Sequence, residues 1–163
     1  MDKHQKHEGP IPHLARQLRG MGCLVKVLRG GKVALLVDDH LLVSVRVAYR
    51  KRRKHSVTVH GHHYEYYNVY FSSRFNFRQA GRPAEHYADV VICYAMGPRG
   101  GIEATFVIPF EAIAANSFSL HNGKEDYRGR YAEYATDHPA RVVQKMAGKP
   151  RCKKIQKRPR RAA

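Results

Sequence analysis

The chain has 163 residues, of which 43% are hydrophobic, enough for one domain with a core. It contains 30 Lys and Arg but only 13 Asp and Glu. The resulting net charge of +17 predicts attraction to a polyanion and salt-dependent binding. No run of about 18 apolar residues and no apolar signal-peptide region is found, which argues against a membrane or secreted protein. We therefore expect a cytoplasmic protein whose partner is nucleic acid.

The N-terminal third of the chain begins with residues 1–11, which we expect to be a flexible polar leader. A helix is predicted over residues 12–21, from apolar residues at helical spacing, with Pro12 in its first turn and Gly22 after its end. Residues 23–28 predict a short strand that leads into a Gly-rich turn.

Residues 33–49 read V-A-L-L-V-D-D-H-L-L-V-S-V-R-V-A-Y and predict a β-hairpin that turns at Asp38-Asp39-His40. Side chains alternate along a strand, so the second half of this hairpin has two faces. One face is predicted to pack in the core, and its members are Val43, Val45, Val47 and Tyr49. The other face presents Ser44 and Arg46, a polar pair suited to meeting an anion.

The remaining elements are predicted mainly as strands, at residues 56–60, 64–77, 88–95, 103–108 and 118–120, with 88–95 central and buried on both faces. Short helices are expected after Pro109 and over residues 127–134. From residue 139 onward we expect a disordered basic tail, since residues 145–163 hold nine Lys and Arg and no acid. The fold class is α/β (α+β), with a mixed β-sheet of four to six strands flanked by helices and one domain over 12–138.

Three cysteines are widely spaced along the chain, at Cys23, Cys93 and Cys152. Their number is odd and their spacing matches no zinc site or disulfide framework. We predict free thiols in a reducing compartment, with the first two in the core.

Four stretches, in this order, carry a resemblance: L-A-R-Q-L-R-G-M-G-C-L-V (14–25), L-L-V-D-D-H-L-L-V-S-V-R-V (35–47), A-D-V-V-I-C-Y (88–94) and F-V-I-P-F-E-A-I (106–113). They resemble the PD-(D/E)XK nuclease-like superfamily, in particular small stand-alone members such as intron-associated homing endonucleases. The resemblance implies a restriction-endonuclease-like fold with a DNA-facing groove, and an oligomer.

The chemistry of that family needs an Asp on one hairpin strand and a Glu, Asp or Gln on the next, with a Lys two residues later. The carboxylates hold Mg²⁺ and the Lys helps to orient or activate water. In this chain the three positions read Ala34, Ser44 and Arg46. Alanine cannot bind a metal, and an arginine is never deprotonated at ordinary pH. The resemblance therefore implies DNA binding with an eroded metal site and no cofactor, and leaves enzymatic activity uncertain.

Three carboxylates could rebuild an active site elsewhere, namely Asp38, Asp39 and Asp89, with Arg46 as a further candidate. The alternative function is then a Mg²⁺-dependent DNA endonuclease. Turn residues and strand starts commonly carry Asp for structural reasons, and we favour that interpretation. The histidines at 60, 62 and 63 are favoured as exposed turn residues rather than as metal ligands.

The basic run Arg50-Lys51-Arg52-Arg53-Lys54 follows the hairpin directly. A cationic run held in place by a core strand favours phosphate contact over mere solvation. The predicted nucleic-acid-binding residues are Arg46, Arg50, Lys51, Arg52, Arg53, Lys54, Arg74 and Arg78. DNA is the expected partner and RNA the next. A second alternative is a basic ribonucleoprotein component in which the tail does most of the binding.

Overall fold

The computed structural model describes residues 9–77, 87–113, 117–121, 124–126 and 129–148. Two α-helices and nine strands lie in these ranges, joined by turns and two short 3-10 helices. The helices are α1 (Pro10–Gly20) and α2 (Pro139–Ala147). The strands are β1 (Val25–Val27), β2 (Leu35–Val37), β3 (Leu41–Tyr49), β4 (Lys51–Val59), β5 (His62–Asn76), β6 (Val90–Met96), β7 (Ile102–Pro109), β8 (Ser117–His121) and β9 (Lys124–Asp126).

The strands form two sheets. The larger has five strands in the order β1-β2-β3-β6-β7, in which β3 and β6 are parallel and the other neighbours antiparallel. The smaller has the order β4-β5-β8-β9 and is antiparallel. The predicted α+β class with a mixed sheet is confirmed, as is the buried central strand, because every residue of β6 is buried.

Helix α1 packs on one face of the five-stranded sheet through Leu14 and Leu18, both fully buried. It ends at Gly20, one residue before the predicted end, and Gly22 follows with a φ of +86° while the Cys23 amide donates to the Leu18 carbonyl at 3.1 Å. The helix begins two residues earlier than predicted, at Pro10. A proline fits this position because the first helical amides have no intrahelical acceptor.

The predicted domain end at residue 138 is wrong, because α2 follows immediately. Ala140, Val143 and Ala147 of this helix are buried in the same cluster as α1. The domain therefore extends at least to Ala147. The rest of the predicted tail, residues 149–163, lies outside the described residues. The same is true of residues 1–8 of the predicted leader.

The second face of the five-stranded sheet is covered by another cluster rather than by a helix. Phe75 of β5 and Leu120 of β8 pack there with Phe106 and Tyr131, all nearly or fully buried. The predicted core face of β3 holds only for its first half. The helix-side cluster includes Val43 and Val45, whereas Val47 and Tyr49 are 38% and 63% exposed.

The connection between the parallel strands β3 and β6 contains a long hairpin of β4 and β5. Its turn is His60-Gly61, where both residues have positive φ, as in the two-residue turns that match strand twist. A register shift between Arg52 and Lys54 marks a bulge. We call residues 51–67 the ribbon. Its described side chains are exposed, apart from the half-buried His55.

Candidate nucleic-acid interface

Ser44 and Arg46 lie on the face of β3 that points away from the helices, beside Val91 and Cys93 of β6. Ser44 is fully buried, and its hydroxyl donates to the Lys32 carbonyl at 2.7 Å. The expected open groove over this face is therefore filled at Ser44. The serine fixes the loop before β2 instead of facing solvent.

Ala34 faces the opposite side from Ser44. It packs against the helix-side cluster. Its amide donates to the carbonyl of Val43, and Val43 is also the residue of β3 that pairs with Leu35 of β2. Two residues of one strand thus oppose a single residue of the other, as in a bulge. The three positions that correspond to the family motif do not converge, because only Ser44 and Arg46 share a face.

Arg46 and Lys32 meet at the ring of Tyr87. The Arg46 guanidinium donates to the Tyr87 hydroxyl at 2.9 Å and lies 5.7 Å from the ring centroid. The Lys32 ammonium lies 5.2 Å from the same centroid. Such contacts stabilise a cation without neutralising its charge. Within the described part of the chain, neither cation has a carboxylate partner. Lys32 and Tyr87 were not predicted, since neither stands in a recognisable pattern.

The basic run begins at Arg50, which is held against the fold. Its guanidinium contacts the Glu103 carboxylate at 3.1 Å, and its amide donates to Met96. The other four residues form the start of β4, where Lys51, Arg52 and Lys54 are exposed. Lys54 pairs with Glu65 at 2.6 Å, but both side chains are about half exposed, so this pair is easily exchanged for other partners.

Of the other two predicted arginines, Arg74 lies near the end of β5. Arg74 is exposed, and its guanidinium donates to the Ser117 hydroxyl at 3.2 Å, across the register of β5 and β8. Arg78 lies outside the described residues.

The three candidate catalytic aspartates all hold backbone groups or a neighbouring lysine. Asp38 accepts from the Leu24 amide at 2.8 Å, and Asp39 pairs with Lys26 at 2.6 Å. Both have positive φ in the β2–β3 turn. Asp89 accepts from the Leu42 amide at 2.8 Å, where β3 and β6 begin to pair.

No group of three or more His, Cys, Asp or Glu side chains suited to a metal ion occurs among the described residues. The histidine-rich stretch does not form one. His60 lies in the ribbon turn, while His62 and His63 follow in β5 and therefore point to opposite faces.

The two cysteines that the structure describes are free thiols in the core, as predicted. Burial raises the pKa of the Cys93 thiol far above its ordinary value, and the nearby Arg46 charge opposes this only in part. Burial also raises the pKa of Cys23, with Asp38 adding to the effect. Neither thiol is suited to act as a nucleophile. Cys152 lies outside the described residues.

Two clefts of about 220 and 240 Å³ lie beside α1 and the start of α2. Both are lined by Gln17, Asp137 and Pro139. None of the predicted site residues lines either cleft, so neither belongs to the candidate interface.

The ribbon also carries exposed aromatic side chains, which the sequence did not predict to lie on a surface. Tyr64, Tyr66 and Tyr67 are 53%, 53% and 61% exposed. Aromatic rings on strands are more often buried in a core than exposed. A signal was present in the cationic and histidine residues around them, which are poor core formers.

Neither a protein-family model nor a curated protein matches this chain. Among the described residues, no helix is long and apolar enough to cross a membrane.

Proposed function

We propose that the protein binds nucleic acid, with DNA as its first target, on an endonuclease-like fold that has lost its metal site. The observation that carries the proposal is the start of β4, which bears Lys51, Arg52, Arg53 and Lys54 in a chain of net charge +17. The side chains of Lys51, Arg52 and Lys54 are exposed there. Exposed cations on the ribbon can reach phosphates without any rearrangement of the core. Lys32 and Arg46 add two further positive charges at the five-stranded sheet.

Loss of the metal site is supported by the residues at the positions of the family motif. Ala34, Ser44 and Arg46 supply no carboxylate, and the Ser44 hydroxyl is fully buried, where it donates to the Lys32 carbonyl. The aspartates that could replace them are engaged at a turn and at a strand start. Binding without cleavage is the function that these contacts favour.

One gel experiment tests both parts of the proposal. Supercoiled plasmid is incubated with the purified chain in Mg²⁺, in Mn²⁺ or in EDTA, at low and at moderate salt. We expect a mobility shift that weakens with salt, is independent of the metal and leaves the plasmid intact. Metal-dependent nicking would instead favour the endonuclease alternative, and Asp38→Asn, Asp39→Asn and Asp89→Asn would then identify its carboxylates. Absence of any shift at low salt would contradict nucleic-acid binding.

A further inference from the structure

One face of the ribbon is apolar and aromatic, and its side chains are exposed apart from the half-buried His55. The cross-strand pairs His55–Tyr66, Val57–Tyr64 and Val59–His62 place six side chains on this face, which we call the ring face. Val57 and Val59 are 42% and 43% exposed, similar to the two tyrosines. Large apolar side chains grouped on one exposed face indicate a contact surface.

The rings on this face are arranged as separate platforms. Tyr64 and Tyr66 are two residues apart on one strand, which separates them by about 7 Å along it. The His55 ring lies 5.4 Å from the Tyr66 ring at an interplanar angle of 21°, so these two rings are stacked. His62 lies 6.5 Å from Tyr64 at 57°. Each tyrosine can therefore present a ring surface to a planar group of its own.

We infer that the ring face stacks on the unpaired bases of single-stranded nucleic acid, an inference that rests on the proposed function and names its substrate class. Aromatic side chains beside a cationic surface are the usual means of holding single strands. The cations at the root of the ribbon, Lys51 and Arg52, contact the phosphates, and the rings contact the bases. No carboxylate lies on the ring face to oppose the approach of a phosphate.

A duplex fits this face less well than a single strand. A two-stranded ribbon can enter the major groove, where base edges are recognised by Arg, Lys, Asn and Gln. The ring face carries none of these four residue types. The flat sides of bases are accessible only when the bases are unpaired.

A second copy of the chain is also a poorer occupant. Packing two ring faces together would bring two chains of net charge +17 into contact, and such a charge keeps proteins apart. A single strand supplies negative charge along with its planar bases, so it complements both features of the ribbon.

The test compares three fluorescein-labelled probes of equal length by fluorescence anisotropy at moderate salt: oligo-dT, an abasic strand with the same phosphates, and a mixed-sequence duplex. We expect the wild-type chain to bind oligo-dT roughly tenfold or more tightly than the abasic strand, since each stacked base adds affinity. The double variant Tyr64→Leu/Tyr66→Leu should lose that preference and bind both strands alike, with its affinity for the duplex unchanged within about twofold.

Two matched variants complete the experiment. Tyr67→Leu removes a similarly exposed ring from the opposite face of the same strand and should leave the preference intact. Tyr64→Phe/Tyr66→Phe keeps both rings and should bind as the wild type does. Circular dichroism checks that each variant is folded, and the wild-type comparison of oligo-dT with the abasic strand tests the inference even without the variants.

Other outcomes would overturn the inference in distinguishable ways. Equal affinity of the wild type for all three probes would exclude base stacking while leaving nucleic-acid binding in place. Absence of binding to any probe would contradict the proposed function itself. A change from dimer to monomer in the double Leu variant by sedimentation, with no change in binding, would show that the ring face joins two copies of the chain.

Discussion

Nε2 of His40 lies 2.7 Å from the carbonyl oxygen of Ala147, which ties the β2–β3 turn to the last residue of α2. Nδ1 of the same ring lies 2.6 Å from the Asp38 carbonyl within the turn. Carbonyls in the last turn of a helix have no amide partner inside the helix. His40 supplies a partner for one of them and joins segments that are 107 residues apart.

Replacing this histidine should weaken the whole fold. We expect His40→Ala to lower the free energy of unfolding by about 1 to 2 kcal/mol, because the ring contacts with the Ala147 and Asp38 carbonyls are lost and a neutral imidazole donates to one of these two oxygens. Urea unfolding followed by circular dichroism measures the change. His63→Ala, on the exposed ribbon, is the control and should unfold like the wild type. If His40→Ala and His63→Ala lower the free energy of unfolding equally, the contacts of His40 do not contribute to stability.

Two truncations should differ sharply in stability. Removing residues 149–163 takes away eight Lys and Arg but no buried residue described in the structure, so the melting temperature should stay within a few degrees. Removing residues 139–163 also deletes α2, including the fully buried Val143, and should abolish the cooperative transition. Thermal melting of both chains makes the comparison. Similar melting curves would mean that α2 is dispensable.

The shorter truncation also separates two functions. If the ribbon carries the binding, the chain that ends at Gly148 should keep measurable affinity for DNA with a weaker salt dependence, because fewer counterions are released. The ribonucleoprotein alternative, in which the tail does most of the binding, requires that nearly all affinity disappears. Anisotropy titrations of full-length and truncated chains at several salt concentrations distinguish the two.

The local parts of the fold could be predicted because short-range chemistry determines them. The turn at Asp38-Asp39-His40 and the helix end at Gly22 each depend on residues that tolerate positive φ. The continuous apolar run of β6 is typical of a strand that is buried on both faces of a sheet. Helix α2 was missed although its buried side chains, Ala140, Val143 and Ala147, have helical spacing, because two of the three are alanines and the helix leads into a strongly basic segment.

The site was harder to predict because it depends on which surfaces cover each other. Ser44 looked like a groove residue, but residues more than 25 positions away in sequence, such as Phe75 and Leu120, belong to the cluster that covers its side of the sheet. Val47 and Tyr49 follow the alternation that predicted a core face for β3, yet both are exposed because they lie beyond the helix-side cluster. Alternation gives the two faces of a strand, and only the tertiary packing decides which of them is buried.

Burial of Tyr94 should make the fold sensitive to alkaline pH. Burial raises the pKa of its phenol from the ordinary 10.0 to about 12, so the unfolded chain releases this proton before the folded chain does. The protonated Tyr94 phenol therefore adds to the free energy of unfolding, by on the order of 2 kcal/mol. This stabilisation is fully present below pH 10 and is lost as the pH rises toward 12. Urea unfolding of wild type and Tyr94→Phe at several pH values measures it.

The variant should retain more of its stability than the wild type between pH 10 and 12, because Phe has no proton to lose. Tyr49→Phe is the control, since the ring of Tyr49 is 63% exposed. Its stability should follow that of the wild type over the same range. An unchanged alkaline loss in Tyr94→Phe would assign the loss to other groups, Cys93 first among them, because its thiol is also buried and has a raised pKa.

The cations at the start of β4 should determine much of the salt dependence of DNA binding. The triple variant Lys51→Gln/Arg52→Gln/Arg53→Gln leaves the Arg50–Glu103 and Lys54–Glu65 pairs intact. For a duplex probe, each lost phosphate contact lowers the slope of log K against log salt by about 0.9. We therefore expect the slope to fall by roughly 2 to 3 if all three residues contact phosphates.

A matched control removes the same charge elsewhere, through Arg29→Gln/Arg99→Gln/Arg141→Gln, since these three arginines are exposed and lie outside the ribbon. Position matters if binding is local, because exposed charges farther than about 10 Å from a phosphate are largely screened at 0.1 M salt. The control should then keep most of the wild-type slope. Equal reductions in both triple variants would mean that net charge, and not the ribbon, attracts the DNA.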